Sequence, residues 1–246
     1  MTPAILWLTG WGMTVSCWQE VRQQIPCALH LAPDYSRVSR PEQFLEVVEQ
    51  TVRSIAGNEL IVVGWSMGGL LALRLAASRP VAGLVLIGTT MRFVREPAER
   101  DKGWGAAVLQ RMKRLLPKER ERVMAQFAEQ MLSAKEREQN RLEMEKAGGQ
   151  WSEQALLAGL DYLASEDCRH AAASLFCPAI VISGTDDLIC PLAAGEELAN
   201  TLPDADFLPL KDCGHMPHVF YPDVVGTAVT RMVKQIARKH GQASFQ

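Results

Sequence analysis

The chain has 246 residues, 48% of them hydrophobic and 22% charged, the proportions of a globular domain rather than of a disordered or fibrous chain. Its 26 Lys and Arg against 28 Asp and Glu give a formal net charge of −2, without the cationic surplus that nonspecific nucleic-acid binding requires. No apolar run approaches the roughly 20 residues that span a bilayer, residues 1–13 lack the basic stretch of a secretory signal, and the six cysteines include no Cys-x-x-Cys pair. Free thiols in a reducing cytoplasm are expected, with no zinc site and no membrane segment.

The first apolar run, Ile5-Leu6-Trp7-Leu8, closes on Thr9-Gly10-Trp11-Gly12 and reads as a strand buried on both faces. A second strand is expected over 28–31. Ser39 as a cap, Pro41 in the first turn, and Phe44, Leu45, Val47, Val48, Val52 and Ile55 at helical spacing predict a helix closed by Gly57-Asn58. A strand at Leu60-Ile61-Val62-Val63, a helix over Met67–Ser78 and a strand at Leu84-Val85-Leu86-Ile87 follow. This alternation points to an α/β fold, a mostly parallel sheet with helices on both faces. Between about residues 91 and 170 charges crowd in and helical periodicity dominates, with helices expected over 98–116, 118–132, 134–147 and 152–164. Strands return at Ala179-Ile180-Val181-Ile182 and Asp206-Phe207-Leu208, before a final helix over 222–239 and a frayed polar tail from 241. The organisation is a core of residues 1–90 and 171–246 interrupted by a helical insertion, 91–170.

The strongest local signal is Gly64-Trp65-Ser66-Met67-Gly68, set between a predicted strand and a predicted helix. A serine on so tight a turn has a strained backbone, and glycines two positions before and after it remove side chains that would collide. The hydroxyl is pushed out above the sheet, next to the free N–H groups of a helix N-terminus. A serine needs a base, and the base needs an orienting carboxylate. Both lie downstream, each after a strand. Ser183-Gly184-Thr185-Asp186-Asp187 offers Asp187, with Asp186 as a rival, and Asp212-Cys213-Gly214-His215 offers His215, with His218 as a rival three residues on. Gly214 is expected to free that loop. The order Ser66, Asp187, His215 fits a nucleophile, carboxylate and base at one sheet edge. The backbone N–H groups of Met67 and Trp11 are the expected oxyanion donors.

These residues resemble the α/β-hydrolase superfamily along nearly the whole chain. Within it they resemble the pimeloyl-acyl-carrier-protein methyl ester esterases of biotin synthesis. Gly10-Trp11-Gly12-Met13 with Trp18 is similar to that family's oxyanion loop, Gly64-Trp65-Ser66-Met67-Gly68-Gly69 to its elbow, and Leu157-Ala158-Gly159-Leu160-Asp161-Tyr162-Leu163 with Asp167-Cys168-Arg169 to the end of its cap. Thr9 stands where that family usually has His, and its leading hairpin is expected to be absent or much shortened. The resemblance implies a methyl ester at the far end of an acyl chain held by an acyl carrier protein. An apolar channel and a cationic docking face would then be needed. Residues 92–146 carry 14 Lys and Arg against 10 Asp and Glu, and the remainder 12 against 18. Such a cationic insertion could steer an acidic carrier protein. Arg111, Lys113, Arg114, Lys118, Arg120 and Arg122 are the docking candidates, although a solvated helix face with i,i+4 pairs would carry the same charges. Trp11, Phe93, Arg111, Arg114 and Phe127 are the expected substrate contacts, and Trp104, Met112, Leu115, Met131 and Trp151 could line the channel or simply pack helices on the core. No metal or organic cofactor is expected. Competing readings are a small-ester carboxylesterase or C–C bond hydrolase of the same fold, and a non-catalytic ligand-binding protein that keeps the pocket.

Overall fold

The structure is a computed structural model that describes residues 3–138 and 150–243. Strands β1 (Ala4–Leu8), β2 (Leu29–Leu31), β3 (Leu60–Trp65), β4 (Gly83–Ile87), β5 (Ala179–Gly184) and β6 (Ala205–Leu210) form one sheet in the order β2-β1-β3-β4-β5-β6, with every neighbouring pair parallel. The four inner strands are buried along their whole length, which is why their sequences are unbroken apolar runs rather than alternating ones. The edge strands β2 and β6 are half exposed.

Helices α1 (Gln19–Gln23), α2 (Glu42–Thr51) and α3 (Met67–Ser78) accompany the first four strands, and α9 (Leu192–Thr201), α10 (Pro217–Phe220) and α11 (Pro222–Ala243) the last two. Contacts of α3 with α2 and with the short helix at 169–172 on one side, and of α11 with α1 and α10 on the other, cover the two faces of the sheet. Between β4 and β5 lie α4 (Ala106–Leu115), α5 (Arg120–Gln130), α6 (Ala134–Glu138), α7 (Glu153–Ser165) and α8 (Arg169–Ala172). The chain turns from β1 to β2 on one side and to β3 on the other. The crevice at the carboxyl ends of β1 and β3 is therefore where a site is expected in such a sheet.

Several expected elements are differently bounded. The helix expected over 98–116 is broken. Pro97–Lys102 forms a 3-10 turn, and the chain then doubles back so that Trp104 donates its N–H to the Phe93 carbonyl at 2.9 Å and Arg95 donates to the Trp104 carbonyl at 2.8 Å. Only beyond Gly105 does α4 begin. Ser39 is not the cap of α2, because Pro41 occupies that position. Instead the Gln43 side chain reaches back to accept the Ser39 and Arg40 N–H groups at 2.9 and 3.1 Å. Helices α1, α8, α9 and α10 have no counterpart among the expected elements. Ser152 does cap α7, its Oγ accepting the Ala155 N–H at 3.0 Å. The helix expected over 134–147 is seen as far as Glu138, and the rest, with Gly148 and Gly149, lies outside the described residues. The final helix runs past 239 to Ala243, leaving 244–246 outside the described residues.

Candidate active site

Ser66 stands between β3 and α3 with φ 57° and ψ −120°, a left-handed region that a non-glycine residue adopts only under constraint. The constraint is packing. A Cβ at Gly64 would lie 2.5 Å from the Gly68 carbonyl oxygen, and one at Gly68 would lie 2.3 Å from the Leu8 carbonyl oxygen, so the first turn of α3 sits directly on β3 and on the end of β1. Thr89 holds the elbow from the other side, its hydroxyl donating to the Ser66 carbonyl at 2.8 Å. The loop after β1 is equally close, since a Cβ at Gly10 would lie 3.3 Å from the Ser66 Cβ. Among the described residues, the N–H groups of Trp11 and Met67 take part in no hydrogen bond. Two unpaired donors thus lie in the segments that meet at this serine.

His215 and Asp187 come together although 28 positions apart, with His215 Nδ1 2.7 Å from Asp187 Oδ2 and both side chains fully buried. The other Asp187 oxygen accepts the N–H groups of Ile189 and Cys190, each at 2.8 Å. A carboxylate holding two backbone donors on one oxygen is an acceptor on the other, so Nδ1 carries the proton. That leaves Nε2 as the basic nitrogen, and it is buried with no hydrogen-bond partner among the described residues. Trp65, next to the serine, donates Nε1 to the His215 carbonyl at 2.7 Å, which binds the elbow to the histidine loop. Gly88, just after β4, has φ 47° and lies directly against the pair.

The rivals are sorted by these contacts. Asp186 points out to solvent and takes a hydrogen bond from the Thr185 hydroxyl at 2.9 Å. His218 is buried with ring centroids 4.4 Å from both Trp18 and Trp65, and neither of its nitrogens has a hydrogen-bond partner among the described residues. Burial, and secondarily the neighbouring His215, push its pKa down to about 3. Burial also pushes the Cys190 and Cys213 thiols well up, so neither supplies a thiolate beside the serine. Gly214 does not free the loop as expected. The left-handed residue there is Asp212, at φ 57°, and Gly214 is instead a point of close packing.

A family model described as the alpha/beta hydrolase family matches residues 5–227. The chain belongs to this family. It is similar to curated relatives named pimeloyl-acyl-carrier-protein methyl ester esterase. It is 31% identical to that of Aromatoleum aromaticum, over 94% of this chain and 98% of the relative, and 29% identical to that of Vibrio vulnificus, over 90% of each. Among solved structures, a bromoperoxidase from Bacillus anthracis matches with a TM-score of 0.85 at 16% identity, over 95% of this chain and 92% of the other. A thermophilic esterase from Thermogutta terrifontis matches with a TM-score of 0.79 at 21% identity, over 96% and 91%. These structural likenesses establish the alpha/beta hydrolase fold.

The remaining predicted contacts of this alpha/beta hydrolase lie between β4 and β5 or in the first loop. The Trp11 indole is buried. Its Nε1 donates to the Leu156 carbonyl at 2.8 Å, and its ring occupies the space a Cβ at Gly159 would need, 2.5 Å from Cδ1. Phe127 stands edge-on to Trp11 with centroids 5.1 Å apart and is one of the residues lining a cleft of about 590 Å³ between α4 and α5. Trp104, Val108, Met112 and Leu115 line the cleft, and Arg111 stands at its rim. Phe93 is buried against Trp104 and is not in the cleft wall, and Arg114 is exposed outside it. Lys113 is paired with Asp161 and Arg122 with Glu119, and Arg120 donates to the Trp151 carbonyl at 2.7 Å. Arg111, Arg114 and Lys118 remain without an ion pair among the described residues. Among those residues no helix is long and apolar enough to cross a membrane, and no cluster of metal-ligating side chains occurs. Sequence reasoning missed Gly88, Thr89 and Glu136. For the last, the Ser133-x-x-Glu136 spacing before α6 was the available signal.

Proposed function

We propose that this alpha/beta hydrolase is a serine carboxylesterase acting on the methyl ester of a pimeloyl group carried by an acyl carrier protein. The observation that carries the chemistry is the buried His215–Asp187 pair, its Nε2 unpartnered, beside the constrained Ser66 elbow. Ser66 Oγ attacks the ester carbonyl as its proton passes to His215 Nε2, and Asp187 stabilises the imidazolium. The oxyanion is met by the N–H groups of Met67 and Trp11, each such donor being worth about 3 kcal/mol in the transition state. The imidazolium then protonates the departing methoxide to give methanol. A water molecule, deprotonated by His215, attacks the acyl-serine, and the free carboxylic acid leaves with Ser66 restored.

The substrate assignment draws on the curated relatives named for it and on the helical segment read as a cap. Phe127, one of the residues lining its α4–α5 cleft, packs edge-on against Trp11 of the loop that meets Ser66, and the cleft's apolar lining suits an acyl chain. Arg111 and Arg114, exposed and without an ion pair among the described residues, suit an acidic carrier protein. Six free cysteines suit a reducing, cytoplasmic setting. The test compares kcat/KM for carrier-linked pimeloyl methyl ester with that for free dimethyl pimelate. A carrier-linked preference of at least tenfold is expected. Charge reversal at Arg111 and Arg114 should reduce it while leaving p-nitrophenyl acetate hydrolysis within twofold. No preference, or equal loss on both substrates, contradicts the assignment.

A further inference from the structure

The segment 131–136 meets the histidine loop through backbone groups. Ser133 and Glu136 form a capping box at the start of α6, where the Ser133 Oγ accepts the Glu136 N–H at 3.2 Å and Glu136 Oε2 accepts the Ser133 N–H at 2.8 Å. Each side chain has a second partner outside the helix. The Glu136 carboxylate accepts the Gly214 N–H at 3.0 and 3.1 Å, and the Ser133 hydroxyl donates to the Asp212 carbonyl at 2.9 Å. The Met131 carbonyl accepts the His215 N–H at 2.7 Å. Contact is tight, since a Cβ at Gly214 would lie 2.4 Å from the Met131 oxygen and 2.7 Å from Glu136 Oε2.

The loop is divided between two anchors. The core holds the Asp212 N–H through the Thr185 hydroxyl, the Cys213 carbonyl through the Asp186 N–H, and the His215 carbonyl through Trp65 Nε1. The N–H groups of Gly214 and His215 and the carbonyl of Asp212 are held by 131–136. Glu136 is 1% exposed, and no cation pairs with it among the described residues, so its carboxylate is compensated by the backbone N–H groups of Ser133 and Gly214, with the Cys213 thiol beside it. An exposed capping box would stabilise α6 as well without burying a carboxylate, which is costly unless hydrogen bonded. The buried placement is explained if the carboxylate serves the loop.

We propose that Glu136 is a positioning residue for the hydrolysis, fixing loop 212–215 so that the His215 imidazole stays between Asp187 and Ser66. The inference rests on the Ser66–His215–Asp187 reading. A shift of about 1 Å in a reacting group can lower a rate about a hundredfold, so loosening this anchor should appear in kcat rather than in KM.

The test uses the full chain and p-nitrophenyl acetate, with melting temperature followed by circular dichroism. Glu136→Ala is expected to lose at least fivefold in kcat well below its melting temperature, with KM within twofold. Glu136→Gln, which retains a carbonyl acceptor, should recover most of that loss. Ser152→Ala, which removes the cap of α7 instead, should lower the melting temperature and leave kcat unchanged. A folded Glu136→Ala losing less than fivefold, a Gln variant no better than Ala, or a Ser152→Ala variant losing kcat equally would overturn the proposal. If Glu136→Ala does not fold, Ser133→Ala, which deletes the link to Asp212, is read by the same fivefold limit. Ser66→Ala separates the two levels. Full activity in that variant refutes the serine mechanism itself, whereas its inactivity alongside an unaffected Glu136→Ala refutes only the positioning role.

Discussion

Gly88 leaves β4 with φ 47°, and the space its missing side chain would fill is already taken, with His215 Nδ1 3.1 Å and Asp187 Oδ2 3.3 Å from the ideal Cβ position. An L side chain there meets a left-handed backbone penalty of about 1–2 kcal/mol and presses on the imidazole–carboxylate pair as well. Gly88→Ala is therefore expected to lower the melting temperature by roughly 2–8 °C and kcat on p-nitrophenyl acetate more than tenfold. Unchanged kcat would show that the pair tolerates the intrusion. His218 makes a different prediction. Unfolded, its imidazole takes up a proton near pH 6.5, but folded it resists until about pH 3. Between those values the unfolded chain binds more protons, so stability is full above pH 6.5 and declines on acidification, by up to about 1.4 kcal/mol per pH unit from this group. His218→Phe, which keeps a ring between Trp18 and Trp65, should flatten the fall in urea-unfolding free energy between pH 6 and 4. An unaltered slope would place the acid sensitivity elsewhere. At this scale the constrained turn at Ser66 was legible because Gly-x-Ser-x-Gly is a local pattern, whereas Asp187 differs from Asp186, and His215 from His218, by contacts spanning tens or hundreds of positions.

Helix ends show where local pattern gives way to tertiary contact. The run over 98–116 has helical spacing, yet Gly103 and Gly105 let Trp104 pair with the chain at Phe93–Arg95, and that pairing overrides the propensity. Arg95 explains why the pairing matters. Its fully buried guanidinium binds Glu197 of α9 at 2.5 Å, the Arg92 carbonyl at 2.7 Å and the Thr90 hydroxyl at 3.2 Å, fixing the start of the helical segment to the core. Removing one partner of such a buried pair typically costs about 3–5 kcal/mol. Arg95→Ala should lose stability on that scale in urea unfolding, and a loss under 1 kcal/mol would contradict the anchoring role. Glu197 lies in α9, which the sequence reading passed over because its Leu192-Ala193-Ala194-Gly195 start lacks a strong periodic signal. The capping box at Ser133 and Glu136 was readable as a helix start, but its outward bonds to loop 212–215 were not, since nothing local distinguishes a buried cap from an exposed one.

Over the whole molecule, parallel strands forced the loops after β1, β3, β5 and β6 to one sheet edge, which is how Gly10 meets Ser66, His215 meets Asp187, and Trp65 ties the serine's turn to the histidine loop. The buried apolar runs made that sheet legible from sequence, because strands covered on both faces have little freedom in composition. The helical segment was legible only in outline, since its charged surfaces constrain helix ends weakly. The account stands on Ser66 being the nucleophile served by His215. The most direct measurement is mass-spectrometric mapping of the native chain after reaction with a fluorophosphonate. A single adduct on Ser66, abolished in His215→Ala folded to the same circular dichroism spectrum, is the expected result. No adduct on the folded native chain, or an adduct on another residue, would contradict it.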